Sequence, residues 1–217
     1  MKKVSRLRKI VSSVFSAVMI FGIFQMSSAS AASADLTQQQ KEEYYKQYVD
    51  IIKEVNSEQP DADLEVVSFN EITDWVNPDE FKGIAIERAN MQFVDDVDNV
   101  LEPTKPTKGL TAFASGTVSA TKSKGFNAKG TSVTLSVTGN FHTQYFELYK
   151  RQLFSGIKSV SSSTNRGTWT QSGYEFMSMD MGTTYAVTTS GILVLNDIKS
   201  THHVSIEFYC TANGGVE

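Results

Sequence analysis

The sequence predicts an α+β protein: a signal peptide, a small acidic and mainly helical N-terminal module, and a C-terminal antiparallel β-sandwich. Three observations predict it. Charge divides the chain, since residues 35–103 hold 18 acidic and five basic residues, a net of −13, while residues 104–217 hold six and ten, a net of +4. Hydrophobic spacing also changes, from helical in the first part to strict alternation in the second. Between them "NVLEPTKPTKGL", residues 99–110, carries two of the four prolines with two lysines and little apolar content. The expected divisions are a signal peptide over 1–34, the acidic module over 35–100, a Pro/Lys linker over 101–109 and the β-sandwich over 110–217.

The first element is read from three consecutive features. Lys2, Lys3, Arg6, Arg8 and Lys9 make a basic start, and residues 10–26 are mostly apolar and uncharged. "SSASAASADL" then offers Ala29-Ser30-Ala31 and Ala32-Ser33-Ala34 as small-residue cleavage sites. That order is the pattern of a secretory signal peptide. An uncleaved anchor is the alternative, because the apolar run approaches a bilayer-spanning length. A secreted, extracellular chain is expected, with 183 residues after residue 34 and no later transmembrane segment. Cys210 is the only cysteine, so no disulfide forms within the chain, and burial alone must hold it together. A monomer is expected.

In "DLTQQQKEEYYKQYVDIIKEVNSEQP", Thr37 is placed as N-cap with Gln40 three residues on, a capping box. Tyr44, Tyr48, Ile51, Ile52 and Val55 form one stripe of a helix ending near Asn56. "LEVVSF" after Pro60 is a short strand candidate. In "NPDEFKGIAIERANMQF" Asn77 caps a second helix, with Pro78 in its first turn and Asp79 and Glu80 favoured by the helix dipole. Gly83 and the Ile84/Ile86 alternation leave a strand open there. The acidic clusters "DADLE" and "DDVDN" lack the glycine and closing glutamate of a calcium loop, so they read as solvated surface. These segments also carry a resemblance. "LTQQQKEEYYKQYVDIIKEVN", "ADLEVVSF" and "DWVNPDEFKGIAIERAN", within residues 36–94, are similar to uncharacterised exported proteins of Bacillus-type Gram-positive bacteria. Those share a Tyr-rich helix, an "LEVV"-like strand and a "W-V-x-P-E-E-F" turn. The resemblance implies an exported Gram-positive protein and transfers no site or activity.

From Leu110 onward Thr, Ser, Val, Phe and Tyr dominate. "TSVTLSVTGNF" turns Val133, Leu135, Val137 and Phe141 to one face, and "HHVSIEFYCTA" does the same with Val204, Ile206, Phe208 and Cys210. "FHTQYFELYKRQLF", "GIKSVSSSTNRGTWTQ" and "TTYAVTTSGILVLNDI" are each strand-like, with "SG", "NRG" and "MG" expected as turns. Six to eight strands with no intervening helix predict the sandwich.

The motifs that advertise chemistry are missing: no G-x-S-x-G, H-E-x-x-H, C-x-x-C or phosphate-binding glycine loop occurs. His202 and His203 are neighbours on a strand and face opposite ways, so one ion cannot take both, and a site would need His142 and an acid such as Asp197 or Glu207. No metal, cofactor or catalytic residue is expected, and Cys210 reads as a buried small hydrophobe. A net of +4 without a basic stripe argues against nucleic acid. In "NRGTWTQSGYEF", Trp169, Tyr174 and Arg166 are the candidate ligand-binding residues, with Gln171 nearby and Tyr145, Tyr149, Lys150 and Arg151 on or near another strand's polar face. Aromatic rings beside polar groups stack on sugar faces, and basic groups suit an anionic wall polymer or membrane. The alternative places Trp169 and Tyr174 in the inter-sheet core. The function expected is non-enzymatic binding at or beyond the cell wall, to wall polymer or another surface component. A precursor whose acidic half shields a toxin- or bacteriocin-like β-domain, and a hydrolase with an unadvertised site, are the alternatives.

Overall fold

A computed structural model describes residues 36–91, 93–95, 115–128 and 131–217. The expected signal peptide, the linker over 101–109 and both cleavage sites lie outside the described residues. Residues 35–217 form one compact unit of α+β class, with two α-helices and two four-stranded antiparallel sheets among the described residues.

Helix α1 runs Gln38–Glu58. Its start is the capping box: Thr37 Oγ1 accepts from the Gln40 backbone, and the Gln40 side chain accepts from the Thr37 N–H at 2.9 Å. Tyr48, Ile52 and Val55 are buried, while Tyr44 and Ile51 lie half-buried beside them. Strand β1 is short, Leu64–Val66, because Ser68 opens a 3-10 turn at Phe69–Glu71 that ends the extended run of "LEVVSF". The Asn56 side chain brackets the start of β1, accepting from Leu64 N–H and donating to Leu64 C=O. Helix α2 is Pro78–Ala89, capped by the Asn77 side chain. Ile84 and Ile86 are helical, and Gly83 is exposed with open space around it. Its helical conformation is set by Phe81, Ala85 and Arg88, which are buried one turn apart.

The remaining strands are β2 (Val94–Asp95), β3 (Gly116–Ala128), β4 (Thr131–Phe146), β5 (Arg151–Thr164), β6 (Thr168–Met179), β7 (Thr184–Leu195) and β8 (Ile198–Tyr209). One sheet has the order β1-β8-β7-β6 and the other β2-β3-β4-β5. Residues of both sheets share one buried cluster. Leu135, Val137 and Phe141 come from β4, Val187 from β7, and Val204, Ile206 and Phe208 from β8, all buried. Phe141 packs on Phe208 at 4.8 Å, and Phe154 stacks on Tyr185 at 4.3 Å. The inward set Val133, Leu135, Val137 and Phe141 is where alternation puts it, as is Val204, Ile206, Phe208 and Cys210.

Several turns sit elsewhere than the sequence suggests. Ser155-Gly156 ("FSGIK") and Ser190-Gly191 ("SGIL") lie inside β5 and β7. Both glycines serve strand geometry rather than a reversal. At Gly191 a Cβ would strike the Trp169 ring and come within 2.7 Å of the Thr170 carbonyl. Gly156 adjoins the register shifts between β4 and β5. "FHTQYFELYKRQLF" is not one strand but the β4–β5 hairpin, turning through Glu147–Lys150. "TTYAVTTSGILVLNDI" ends in a second hairpin, where Asn196 and Asp197 take φ of 52° and 60° between the paired Leu195 and Ile198. Two residues with positive φ match the twist of a two-residue hairpin, and Asn and Asp tolerate that conformation. "NRG" and "MG" do turn the chain, at residues 165–167 and 180–183.

The helical segment and the sheets are joined by more than chain continuity. β1 pairs with β8, matching Leu64 to Ser200 and Val66 to Ile198. Ile198 is fully buried among Tyr48, Ile52, Val55, Leu64, Val66, Phe81 and Ala85. The Tyr48 ring stacks on Phe81 at 3.9 Å, and its hydroxyl donates to the Val76 carbonyl. Burial pushes that hydroxyl's pKa up to about 12. The Asp197 carboxylate, at the β7–β8 turn, accepts from Thr73 N–H, Thr73 Oγ1 and Asp74 N–H at 3.0–3.1 Å. Arg88 on α2 is buried and donates to the Leu195 carbonyl at 2.9 Å and to Met91 Sδ. Burial brings its pKa down to about 10.

Candidate functional site

The sheet that ends in β6 leaves that strand's outer edge without a strand partner among the described residues. β6 begins as an ordinary strand. Trp169 pairs with Leu193 and turns inward, where its indole N–H donates to Ser162 Oγ at 2.8 Å. Ser162 in turn donates to Gln171 Oε1, and Gln171 donates to the Val160 carbonyl. These bonds tie β6 to β5 across the gap between the two sheets, beside the turn that connects them. Trp169 is half-buried against both inter-sheet clusters.

Beyond a register shift between Gln171 and Gly173 the strand changes character. Tyr174, Glu175, Phe176, Met177 and Ser178 are all exposed. Tyr174 pairs with Thr189 and Phe176 with Val187, both of which are buried inner-face positions, so the two rings point to the inner side. They are nonetheless exposed, at 42% and 48%. Phe176 leans on Tyr185 at 5.0 Å. Met177, on the other face, is 64% exposed. The strand's only charge is Glu175. An edge strand this long, apolar and free of lysine or proline lacks the usual defences against a pairing partner.

Of the three candidate ligand residues, Tyr174 belongs to this edge. Trp169 sits five positions earlier, about 15 Å along the strand, with its one donor already used. Arg166 is exposed in the 165–167 turn, farther still. The sequence offers aromatic and polar groups in a row, and the bulge and the edge position decide which of them is open. Phe176 escapes a reading of the sequence because alternation assigns a strand's inward residues to the core, whereas its ring is 48% exposed; Met177 lies on the outer face. Tyr149 and Lys150 lie in the β4–β5 turn, and Arg151 is held by the Cys210 carbonyl at 2.7 Å.

The histidines are spread out. His142 Nδ1 bonds Thr117 Oγ1, His203 Nδ1 bonds Ser190 Oγ, and His202 Nε2 bonds Ser200 Oγ. Burial, with the Arg88 and His203 charges adding to it, holds His202 down at about 4, so its ring is neutral at physiological pH. Among the described residues, no group of three or more His, Cys, Asp or Glu side chains is placed to share an ion. The Cys210 thiol is buried and pushed up to about 11, which removes the thiolate a nucleophile needs. No helix among the described residues is long and apolar enough to cross a membrane. Compared with protein-family models, with curated proteins and with solved structures, the chain matches none of them.

Proposed function

We propose that this chain is an exported, non-enzymatic binding protein of a Gram-positive cell, built on a β-sandwich and acting at or beyond the cell wall. The observation that carries the reading is the open part of β6, where Tyr174 and Phe176 project from the same side, about 7 Å apart along the strand. Two rings at that spacing offer π faces to the C–H faces of a polysaccharide, and the strand's free N–H and C=O groups are available to its hydroxyls. Wall polymer is therefore the ligand class proposed. The basic start, apolar run and paired A-x-A sites of residues 1–34 support export. The pairing of β1 with β8, and the burial of Ile198 among helix residues, support a chain that stays whole rather than one that sheds its acidic half.

Two measurements test this. The intact mass of the protein recovered from culture medium is expected to correspond to a start near residue 32 or 35 and an end at Glu217. A start between residues 101 and 111 would instead make the acidic half a pro-region. That recovered protein should co-sediment with purified cell-wall sacculi. The double variant Tyr174→Ala/Phe176→Ala should weaken sedimentation by about tenfold or more, from the loss of two ring contacts, while the circular dichroism spectrum shows the chain still folded. Equal sedimentation of variant and parent, or none by the parent, would refute the wall-binding reading.

A further inference from the structure

β7 flanks β8 along its whole length on one side, but on the other side β8 is covered only at its two ends. Backbone bonding alternates along an antiparallel strand, so one parity of β8 bonds β7 and the other faces away. Two contacts fix which is which. Cys210 N–H donates to the Thr183 carbonyl, just before β7, whereas Tyr209 exchanges both its backbone bonds with Glu217. Odd-numbered residues therefore face away from β7, and at the other end Lys199 lies opposite Glu65 while the Asp197 carbonyl accepts from Val67.

The two covering segments run antiparallel to β8 along one line. Residues 216–217 lie against 210–209, and β1 lies against 200–198. Between them residues 201–208 have no strand on that side among the described residues, and the outward N–H and C=O groups of His203, Ser205 and Glu207 meet no backbone partner there. Open space lies beside this gap. A cavity of about 330 Å³ is lined by residues 202–205 on the β8 side and by Met91, Phe93 and Lys124 on the other. The Phe93 ring meets the His202 ring edge-on at 5.3 Å, which gives the cavity an aromatic wall.

We propose that this gap takes an extended peptide segment of another protein, added as an antiparallel strand in line with β1 and residues 216–217. A peptide is favoured by what the edge presents. A donor and an acceptor on every second residue, about 7 Å apart, is a pattern that another extended backbone reproduces residue for residue and a sugar or lipid does not. The same edge already takes such backbone at both ends. Its bounds also argue against a second copy of this chain. A strand entering between Glu217 and β1 must be short, whereas β6, the open strand of this sheet, is twelve residues long and already paired with β7. Directly opposed residues share a face. Peptide side chains opposite His202, Val204 and Ile206 thus fall on the inner side, where Phe93 and Met91 favour apolar groups. Those opposite the exposed His203, Ser205 and Glu207 should be polar, with a basic residue facing Glu207. The gap is on the other edge of the sheet from β6, and neither proposal depends on the other.

The probe is the acetylated, amidated heptapeptide Lys-Val-Thr-Val-Thr-Val-Thr, whose residues fall opposite Glu207 through Thr201 in turn. Amide hydrogen exchange, followed by NMR on the isotopically labelled full chain, reads the edge residue by residue. Without peptide the His203, Ser205 and Glu207 amides should exchange fast, and those of Val204 and Ile206, bonded to β7, slowly. Saturating peptide should slow the three fast amides by about tenfold or more. N-methylation of the peptide's third residue, which faces Ser205, should raise the concentration needed for half that effect by about tenfold or more. Ser205→Pro should do the same, since it removes an outward N–H and no backbone bond to β7. If that variant does not fold, the methylated peptide still decides. Protection of the three amides before peptide is added would show that this chain or a second copy already fills the gap. That result, no change on adding peptide, or equal binding of the methylated peptide would each overturn the proposal.

Discussion

The Asp197 carboxylate ties the β7–β8 hairpin to the segment between β1 and α2, and its removal is the sharpest perturbation the structure offers. Its carboxylate accepts three hydrogen bonds, from Thr73 N–H, Thr73 Oγ1 and Asp74 N–H, while its backbone C=O accepts from Val67 N–H. Hydrogen bonds to a charged acceptor are each worth about 1.5–3 kcal/mol when buried. Here the donors are only partly buried, so about 1 kcal/mol apiece is the working figure. Asp197 also sits at φ 60°, a conformation that costs alanine about 1 kcal/mol. Asp197→Ala should therefore lower unfolding stability by about 3–4 kcal/mol. Asp197→Gly keeps the turn and loses the three bonds, and should cost about 1 kcal/mol less than alanine. Asp197→Asn keeps the turn and an acceptor oxygen, and should cost about 1–2 kcal/mol. Urea unfolding followed by circular dichroism gives all three. Loss of less than about 1 kcal/mol in the alanine variant, or a glycine variant weaker than alanine, would refute this assignment of the turn and its bonds.

Three other outcomes rest on the same structure. His202 is held neutral at about 4 in the fold, against about 6.5 when unfolded, so the unfolded chain takes up the proton first. Stability from this site is then fully present above pH 6.5 and is lost as pH falls toward 4, by up to about 3 kcal/mol, and His202→Gln should flatten that part of a stability–pH curve. Gly191→Ala should destabilise by about 1–3 kcal/mol, because its Cβ meets the Trp169 ring and the Thr170 carbonyl, and it should shift tryptophan emission to the red; unchanged emission would place the ring elsewhere. Cys210 should resist a thiol reagent in the native protein and react stoichiometrically in denaturant, since it is buried with its pKa raised to about 11; rapid native labelling would contradict that burial.

Local chemistry determined much of this protein in advance. The capping box at Thr37 and Gln40, the Asn77-Pro78 start of α2 and the alternating faces of β4 and β8 all rest on interactions within a few residues of chain, and so they are readable there. The α+β class comes from the same periodicities. What local chemistry does not carry is neighbourhood. Ser-Gly at 155–156 and 190–191 reads as a turn, yet both lie within strands, one beside register shifts and the other under an aromatic ring from the next strand. The Asn196-Asp197 turn was concealed by the apolar run before it, and its carboxylate found partners over 120 residues away in sequence. Most of the candidate binding edge was hidden for the same reason. Tyr174 stood out by its type, but Phe176 is half exposed at an inward position of β6, the last strand of its sheet, and nothing in its neighbouring residues announces that. Sheet order is a sum of many long-range contacts, each weak and none encoded in adjacent residues. For that reason residue type proposed which side chains bind, and only tertiary structure decided which of them remain uncovered.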